Sequence, residues 1–199
     1  MIETDNFSEK ESLQLISEMI GKAKKSYIEK GIASMVWGSL IVFCSLVNWS
    51  QVKYNHQWPI ADIWILTLVA LIPQIFFSVK ESRSKKYVSY EQTILKYTWI
   101  AFGISIFILS FYMNKQTQGG QSSTLFMMLY GIPTFITGGT TKFKPMIYGG
   151  LFCWASSFIA IYTNIEVDLL LMAASGLFAW LIPGIILWTR YKKIIAASV

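Results

Sequence analysis

The chain has 199 residues, of which 54% are hydrophobic and only 14% are charged. A soluble domain carries about 25% charged residues, so this composition disfavours a soluble globular fold. The net charge of +6 comes from basic residues that cluster between long apolar runs, which predicts attraction to anionic lipid and requires no nucleic acid partner.

The N-terminal segment, residues 1–30, is predicted to form a cytoplasmic amphipathic helix. Ser8 and Glu11 have the spacing of a capping box, in which the serine caps the helix and the glutamate reaches back. Apolar side chains then recur on one helical face, at Leu13, Ile16, Ile20, Ala23 and Tyr27. Such a helix either anchors on the membrane surface or docks on a partner protein or a neighbouring subunit.

Six apolar runs follow, each close to the length that crosses about 30 Å of hydrocarbon as a helix. They are 31–49, 61–79, 96–113, 122–139, 145–163 and 167–189. Backbone polar groups in lipid must be paired within the segment, which favours helices. We therefore predict an all-α fold, with a six-helix transmembrane domain over 31–189 in the lipid bilayer and a basic cytoplasmic tail over 190–199.

Basic residues divide unevenly between the two ends of these runs. Fifteen of the seventeen lie in the N-terminal segment, in the second and fourth connections and in the tail. Only Lys53 and Lys115 lie in the other three connections. Because basic residues in short loops stay in the cytoplasm, this split predicts that both termini are cytoplasmic.

Two features recur along the runs. The even-numbered runs each carry an Ile-Pro step, at Pro73, Pro133 and Pro183. The odd-numbered runs each carry a glycine with a serine seven residues later, and these glycines are Gly38, Gly103 and Gly150. The pattern predicts three helical hairpins related as parallel repeats. A proline inside a span kinks the helix, so the three prolines either widen a central cavity or only shape the bundle.

Candidate residues for lining such a cavity are Trp37, Gln74, Trp154 and Trp180. Buried indole N–H groups need a hydrogen-bond partner or access to water, and plain packing between helices is the alternative for the tryptophans. Small residues near four-residue spacing are expected to let helix backbones approach, within the bundle or between subunits of a homo-oligomer. They are Ser34, Gly38, Gly149, Cys153 and Ser157.

No catalytic, cofactor or metal site is predicted. The centres of the six runs hold no Asp, Glu, Lys, Arg or His, which disfavours a proton-coupled pump. The one histidine, His56, and the two cysteines, Cys44 and Cys153, do not have metal-binding or redox spacing. Glu166 and Asp168 are expected to be solvated charges at a helix end, with contact to an external cation or ligand as the alternative.

Residues 11–20 (ESLQLISEMI) and 37–41 (WGSLI) resemble a group of small uncharacterised bacterial six-span membrane proteins, which implies the bacterial inner membrane. The chain is also similar in span number and size to the substrate-binding subunits of energy-coupling-factor vitamin transporters. Ser34 and Gly38 stand where the first span of those subunits carries an A-x-x-x-A contact. We expect a non-enzymatic interaction or sensory protein. The first alternative is a small-molecule binding or transport subunit, and a membrane enzyme is the third hypothesis.

Overall fold

The computed structural model describes the backbone of residues 9–55, 63–84, 90–115 and 122–196, with side chains except at 9–30, 77–84, 114, 122 and 194–195. All regular elements in these ranges are helices, which confirms the all-α prediction there. In chain order they are α1 (Glu9–Tyr54), α2 (Ile65–Ser84), α3 (Tyr90–Lys115), α4 (Ser122–Thr140), α5 (Lys144–Ala160), α6 (Ile165–Gly176), a π-helical turn (Leu177–Leu181) and α7 (Ile182–Ala196). Ser8, His56, the last three tail residues and the side chains of the predicted amphipathic face lie outside this description.

Helix α1 is continuous from the predicted cytoplasmic segment into the first apolar run. It has 46 residues. At 1.5 Å per residue this is ~69 Å, more than twice the thickness of a hydrocarbon core. No proline interrupts residues 9–54, and the helix ends where Asn55 takes a positive φ of 47°. Residues 9–30 are therefore helical, and no break separates them from the first predicted span.

Three helical stretches in the described part of the chain are long and apolar enough to cross a membrane. They are Gly31–Tyr54, Tyr90–Met113 and Ile165–Lys193, the last of which joins α6, the π-helical turn and α7. The apolar part of α2 is shorter, α5 has 17 residues, and α4 carries several threonines and glycines among its apolar residues. By length and composition, the three stretches indicate a membrane protein.

Helices α4 and α5 form an antiparallel hairpin that packs through glycines. A Cβ atom added to Gly131 would overlap the indole of Trp154, and one added to Gly138 would lie 2.6 Å from the backbone N of Ile147. Neither position has room for a larger residue. The missing side chain makes room for the Trp154 indole at Gly131, and it lets the two backbones approach closely at Gly138.

Helix α1 packs antiparallel against α6 and α7, again through glycines. A Cβ on Gly38 would lie 2.5 Å from the backbone N of Leu181, and one on Gly176 would lie 2.9 Å from Ile41 Cγ2. Helices α1, α4, α5 and α6 and the π-helical turn supply the side chains of the main buried core. Its buried side chains include Ile41, Met127, Cys153, Met172 and Trp180.

Helices α2 and α3 lie at the edge of this core. Among the described helices, the α2 backbone approaches only α1, and the α3 backbone approaches only α4. Large apolar side chains on both are exposed, with Ile72 at 71% and Phe107 at 70%. Apolar faces of this extent mark contact with lipid or with another protein, which agrees with a membrane protein.

The three predicted hairpins differ in their surroundings. Pro133 and Pro183 are fully buried, whereas Pro73 is exposed on α2. Gly38 lies against the backbone of Leu181, in the π-helical turn that precedes α7. In contrast, a Cβ on Gly103 would meet nothing within 4 Å. The recurring residues therefore do not have the same packing role in each hairpin, and the threefold repeat stays a prediction.

Candidate functional site

Helices α4 and α6 run parallel, and side-chain hydrogen bonds join them at two depths. Near the N-terminal ends of both helices, Ser123 and Thr124 donate to Asp168. Further along, Trp180 in the π-helical turn donates to Thr134. At 1.5 Å per residue, the two sets are ~17 Å apart. We call these five residues the polar seam.

Asp168 is the buried acid of the polar seam. It is 0% exposed. Its Oδ2 accepts a hydrogen bond from Ser123 Oγ at 2.5 Å, and its Oδ1 accepts a longer one from Thr124 Oγ1 at 3.4 Å. The prediction of a solvated charge is therefore wrong for Asp168, because the first turn of α4 covers the carboxyl group. Its place in the first turn of α6 still suits a carboxylate, since a helix N-terminus favours negative charge.

Two further hydrogen bonds hold this end of the seam. The Asn164 side chain accepts from the backbone N–H of Val167 at 3.3 Å and so caps α6. Ser157 in the last turn of α5 donates to the backbone carbonyl of Thr124 at 2.9 Å. The first turns of α4 and α6 and the last turn of α5 are thus tied together around the buried carboxyl group.

Trp180 occupies a π-helical turn, a local widening that is frequent at functional sites. The residue is 4% exposed, and its Nε1 donates to Thr134 Oγ1 at 2.8 Å. The Thr134 hydroxyl in turn donates to the backbone carbonyl of Tyr130 at 2.7 Å. This short chain of hydrogen bonds satisfies an indole N–H that has no access to the surface.

Glycines hold the π-helical turn from two sides. Gly38 of α1 faces the backbone of Leu181, and a Cβ on Gly149 of α5 would lie 2.6 Å from Ala179 Cα. Pro183 is the second residue of α7, two positions after the turn ends. A proline inside a helix clashes with the carbonyl group four residues earlier, so the widened turn precedes the residue that would strain a regular helix.

The four predicted cavity residues do not surround one space. Trp180 belongs to the polar seam, and Trp37 packs against the same buried cluster from α1. Trp154 packs against a different face of α4, where its Nε1 donates to the Met128 carbonyl at 3.2 Å. Gln74 lies on α2, and α1 is the only helix in the described part of the chain that the α2 backbone approaches. Two of the three indole N–H groups are therefore satisfied within the chain, at separate places.

The predicted packing residues lie on the helices that form the core. Gly38 and Gly149 face the π-helical turn, and Cys153 is fully buried in the core. Ser157 is buried and contributes the hydrogen bond from α5 described above. Ser34 is half-buried on α1.

Ser123 and Thr124, the hydroxyl partners of Asp168, were not predicted. One signal was available for both, because the charge rule places the start of the fourth run and the start of the sixth on the same side of the membrane. Chemically, the seam offers a carboxyl group that accepts hydrogen bonds from hydroxyls. Within the described residues, no group of three His, Cys, Asp or Glu side chains has the arrangement of a metal site.

Comparisons of the chain with protein-family models, with curated proteins and with solved structures find no match. The sequence resemblances noted above therefore stay predictions, and the functional argument depends on the residues and their geometry.

Proposed function

We propose that the chain crosses the bacterial inner membrane six times, with both termini in the cytoplasm. The uneven distribution of basic residues supports this orientation. The helix directions are compatible with it, since α1 and α5 run one way while α4 and α6 run the other. Each of the six apolar runs overlaps one helix, or the continuous stretch from α6 through α7.

Cysteine labelling tests this topology. In a background where the buried Cys44 and Cys153 are replaced by alanine, Lys53→Cys and Lys115→Cys should react with an impermeant maleimide outside intact cells. Lys142→Cys should react only after the membrane is opened. Equal external labelling at positions 115 and 142 would show that no membrane span lies between them. Labelling of Lys53→Cys only from the cytoplasm would refute the orientation.

We also propose that the protein is a non-enzymatic interaction or sensory protein that binds a partner protein through its N-terminal helix. The observation that carries this proposal is the continuity of α1, which joins residues 9–30 to the first span in one helix. That span is fixed to the π-helical turn through the contact of Gly38 with Leu181. A partner that displaces the start of α1 would therefore act directly on the packed core.

A small-molecule binding or transport subunit is the alternative function. It requires polar and aromatic side chains around a common cavity. Trp154 and Trp180 instead donate to different partners on α4, and Gln74 lies on a peripheral helix. The geometry supports this alternative less well than it supports an interaction or sensory protein that binds a partner.

Photo-crosslinking in the native membrane tests the partner. A photoreactive residue in place of Leu13 or Ile16 would lie on the apolar face of the amphipathic segment, and one in place of Glu18 or Lys22 would lie on the opposite face. We expect a discrete protein adduct from the apolar face only. An adduct with a second copy of the chain would identify a homo-oligomer as the partner.

Two outcomes would contradict the partner proposal. Crosslinking to lipid alone from the apolar face would make the segment a surface anchor. Equal protein crosslinking from both faces would mean that the contacts are not specific to the apolar stripe.

A further inference from the structure

An apolar cleft lies between α5 and the stretch that joins α6 to α7. Its volume is about 250 Å³. Gly149 and Pro183, both buried, form part of its floor, and Tyr148, Phe152 and Phe178 contribute to its walls. The rings of Phe152 and Phe178 are in contact, with centroids 4.7 Å apart. Gly149 lies directly against the backbone of the π-helical turn, where an added Cβ would be 2.7 Å from the Phe178 carbonyl oxygen, and the cleft lies beside this close contact.

Three exposed cations lie around the start of α5, where this cleft ends. Lys144 directly precedes Pro145, which lines the cleft. The Arg190 guanidinium lies 5.6 Å from the ring centroid of Phe143, which brings α7 to the same place. Lys142 is in the turn just before, with a positive φ of 53°. Among the described residues, none of these three cations forms an ion pair with an acidic side chain.

The N-terminus of α5 adds to this positive end. Phe143 is at its N-cap position and provides no side-chain hydrogen bond to the first turn. Pro145 has no backbone N–H, and the Met146 N–H donates to the Phe143 carbonyl at 3.1 Å, so it is the helix dipole that favours an anion here. An apolar cleft therefore ends at the positive end of a helix dipole, flanked by cations.

We propose that the cleft holds an acyl chain of an anionic phospholipid, with its phosphate against Lys142, Lys144 and Arg190. This inference rests on the proposed membrane orientation, which places the start of α5 at the cytoplasmic face. From Pro145 to Phe152, α5 rises ~10 Å. That is about two thirds of one leaflet of a hydrocarbon core about 30 Å thick.

Charge and shape favour the lipid over other occupants. A second copy packed symmetrically on this face would bring the same cations together, and the like charges would repel. Inorganic phosphate would satisfy the cations but leave the apolar cleft unoccupied. An anionic phospholipid matches both parts of the site.

Native mass spectrometry of the full chain tests the charged part of the site. The chain is purified in micelles with equal amounts of phosphatidylglycerol and phosphatidylcholine that have the same acyl chains. We expect retention of phosphatidylglycerol over phosphatidylcholine. One basic residue near an anionic surface changes affinity about fivefold, so the pair Lys144→Gln and Arg190→Gln should lower retention about 25-fold. The matched pair Lys53→Gln and Lys115→Gln, at the other end of the helices, should leave it unchanged.

A second pair of variants tests the apolar part. Tyr148→Ala removes a cleft wall, whereas Phe158→Ala removes a similarly exposed aromatic ring elsewhere on α5, since the two are 66% and 63% exposed. Only Tyr148→Ala should lower lipid retention. Inorganic phosphate should compete poorly with a short-chain phosphatidylglycerol. Circular dichroism and gel filtration confirm that each variant is folded.

Several results would overturn the lipid site. Equal retention of the two lipids would do so. So would an equal loss of lipid retention in the pair at Lys144 and Arg190 and the control pair at Lys53 and Lys115, because that would indicate bulk surface attraction. Competition by inorganic phosphate as strong as that of short-chain lipid would also overturn it. So would a dimer, free of lipid, that Tyr148→Ala dissociates. Maleimide labelling reads the topology independently, so failure of the lipid site is distinguishable from failure of the six-span proposal.

Discussion

Trp180 Nε1 and Thr134 Oγ1 lie 2.8 Å apart, in a hydrogen bond that joins the π-helical turn to the middle of α4. We expect Trp180→Phe to lower the free energy of unfolding by about 1 kcal/mol or more, because it removes the donor and reduces the packed volume. Unfolding in mixed micelles with increasing dodecyl sulfate measures this change.

A double-mutant cycle separates the hydrogen bond from the volume change. Thr134→Val removes the hydroxyl at nearly constant volume, and the cycle with Trp180→Phe gives the coupling between the two residues. We expect a coupling of about 0.5–2 kcal/mol, the range found for hydrogen bonds between membrane helices. Additive effects would contradict an energetic role for this hydrogen bond.

Asp168 should stabilise the contact between α4 and α6. Asp168→Ala leaves the Ser123 and Thr124 hydroxyls without their acceptor, so we expect a loss of about 1–3 kcal/mol in the free energy of unfolding. Asp168→Asn keeps one acceptor oxygen and should cost less. Glu166→Gln, two residues away and half-buried, is the matched control. A loss as large in the control as in Asp168→Ala would show that the seam has no special role.

Glycine positions in equivalent runs should respond differently to alanine. Gly38→Ala and Gly149→Ala force a methyl group against the backbone of the π-helical turn, so each should cost about 1–3 kcal/mol. Gly103→Ala meets nothing within 4 Å and should be neutral, or stabilising by up to about 1 kcal/mol. The same micelle titration measures all three. Similar losses at Gly38 and Gly103 would mean that their packing does not differ as described.

The two cysteines should be protected in the folded protein. Cys44 and Cys153 are both 0% exposed, so a small maleimide should modify them only after denaturation. Mass spectrometry before and after addition of dodecyl sulfate counts the adducts, and Lys53→Cys provides an exposed thiol as the positive control. Rapid modification of either native cysteine in the folded state would show that the core opens readily.

Helix positions could be predicted largely from local sequence. The fourth run was predicted over 122–139, and α4 covers Ser122–Thr140. The fifth was predicted over 145–163, and α5 covers Lys144–Ala160. These predictions succeed because apolar length, proline and turn residues act within a few positions along the chain. The continuity of α1 across residue 30 was less predictable from the sequence. A change from amphipathic to apolar character does not require a break in the helix, but it does not exclude one.

Apolar run length by itself determined that this chain is helical and suited to a membrane, because these properties depend on neighbouring residues. Only the tertiary structure decided that Asp168 is buried beneath Ser123, and that Trp180 donates to Thr134. It also decided that Gly38 is enclosed while Gly103 is not. These contacts join residues that are distant in the chain, and composition does not specify which helix faces meet. Which faces pack together depends on how all the helices share the available contact surface, so this choice is a property of the whole packed bundle.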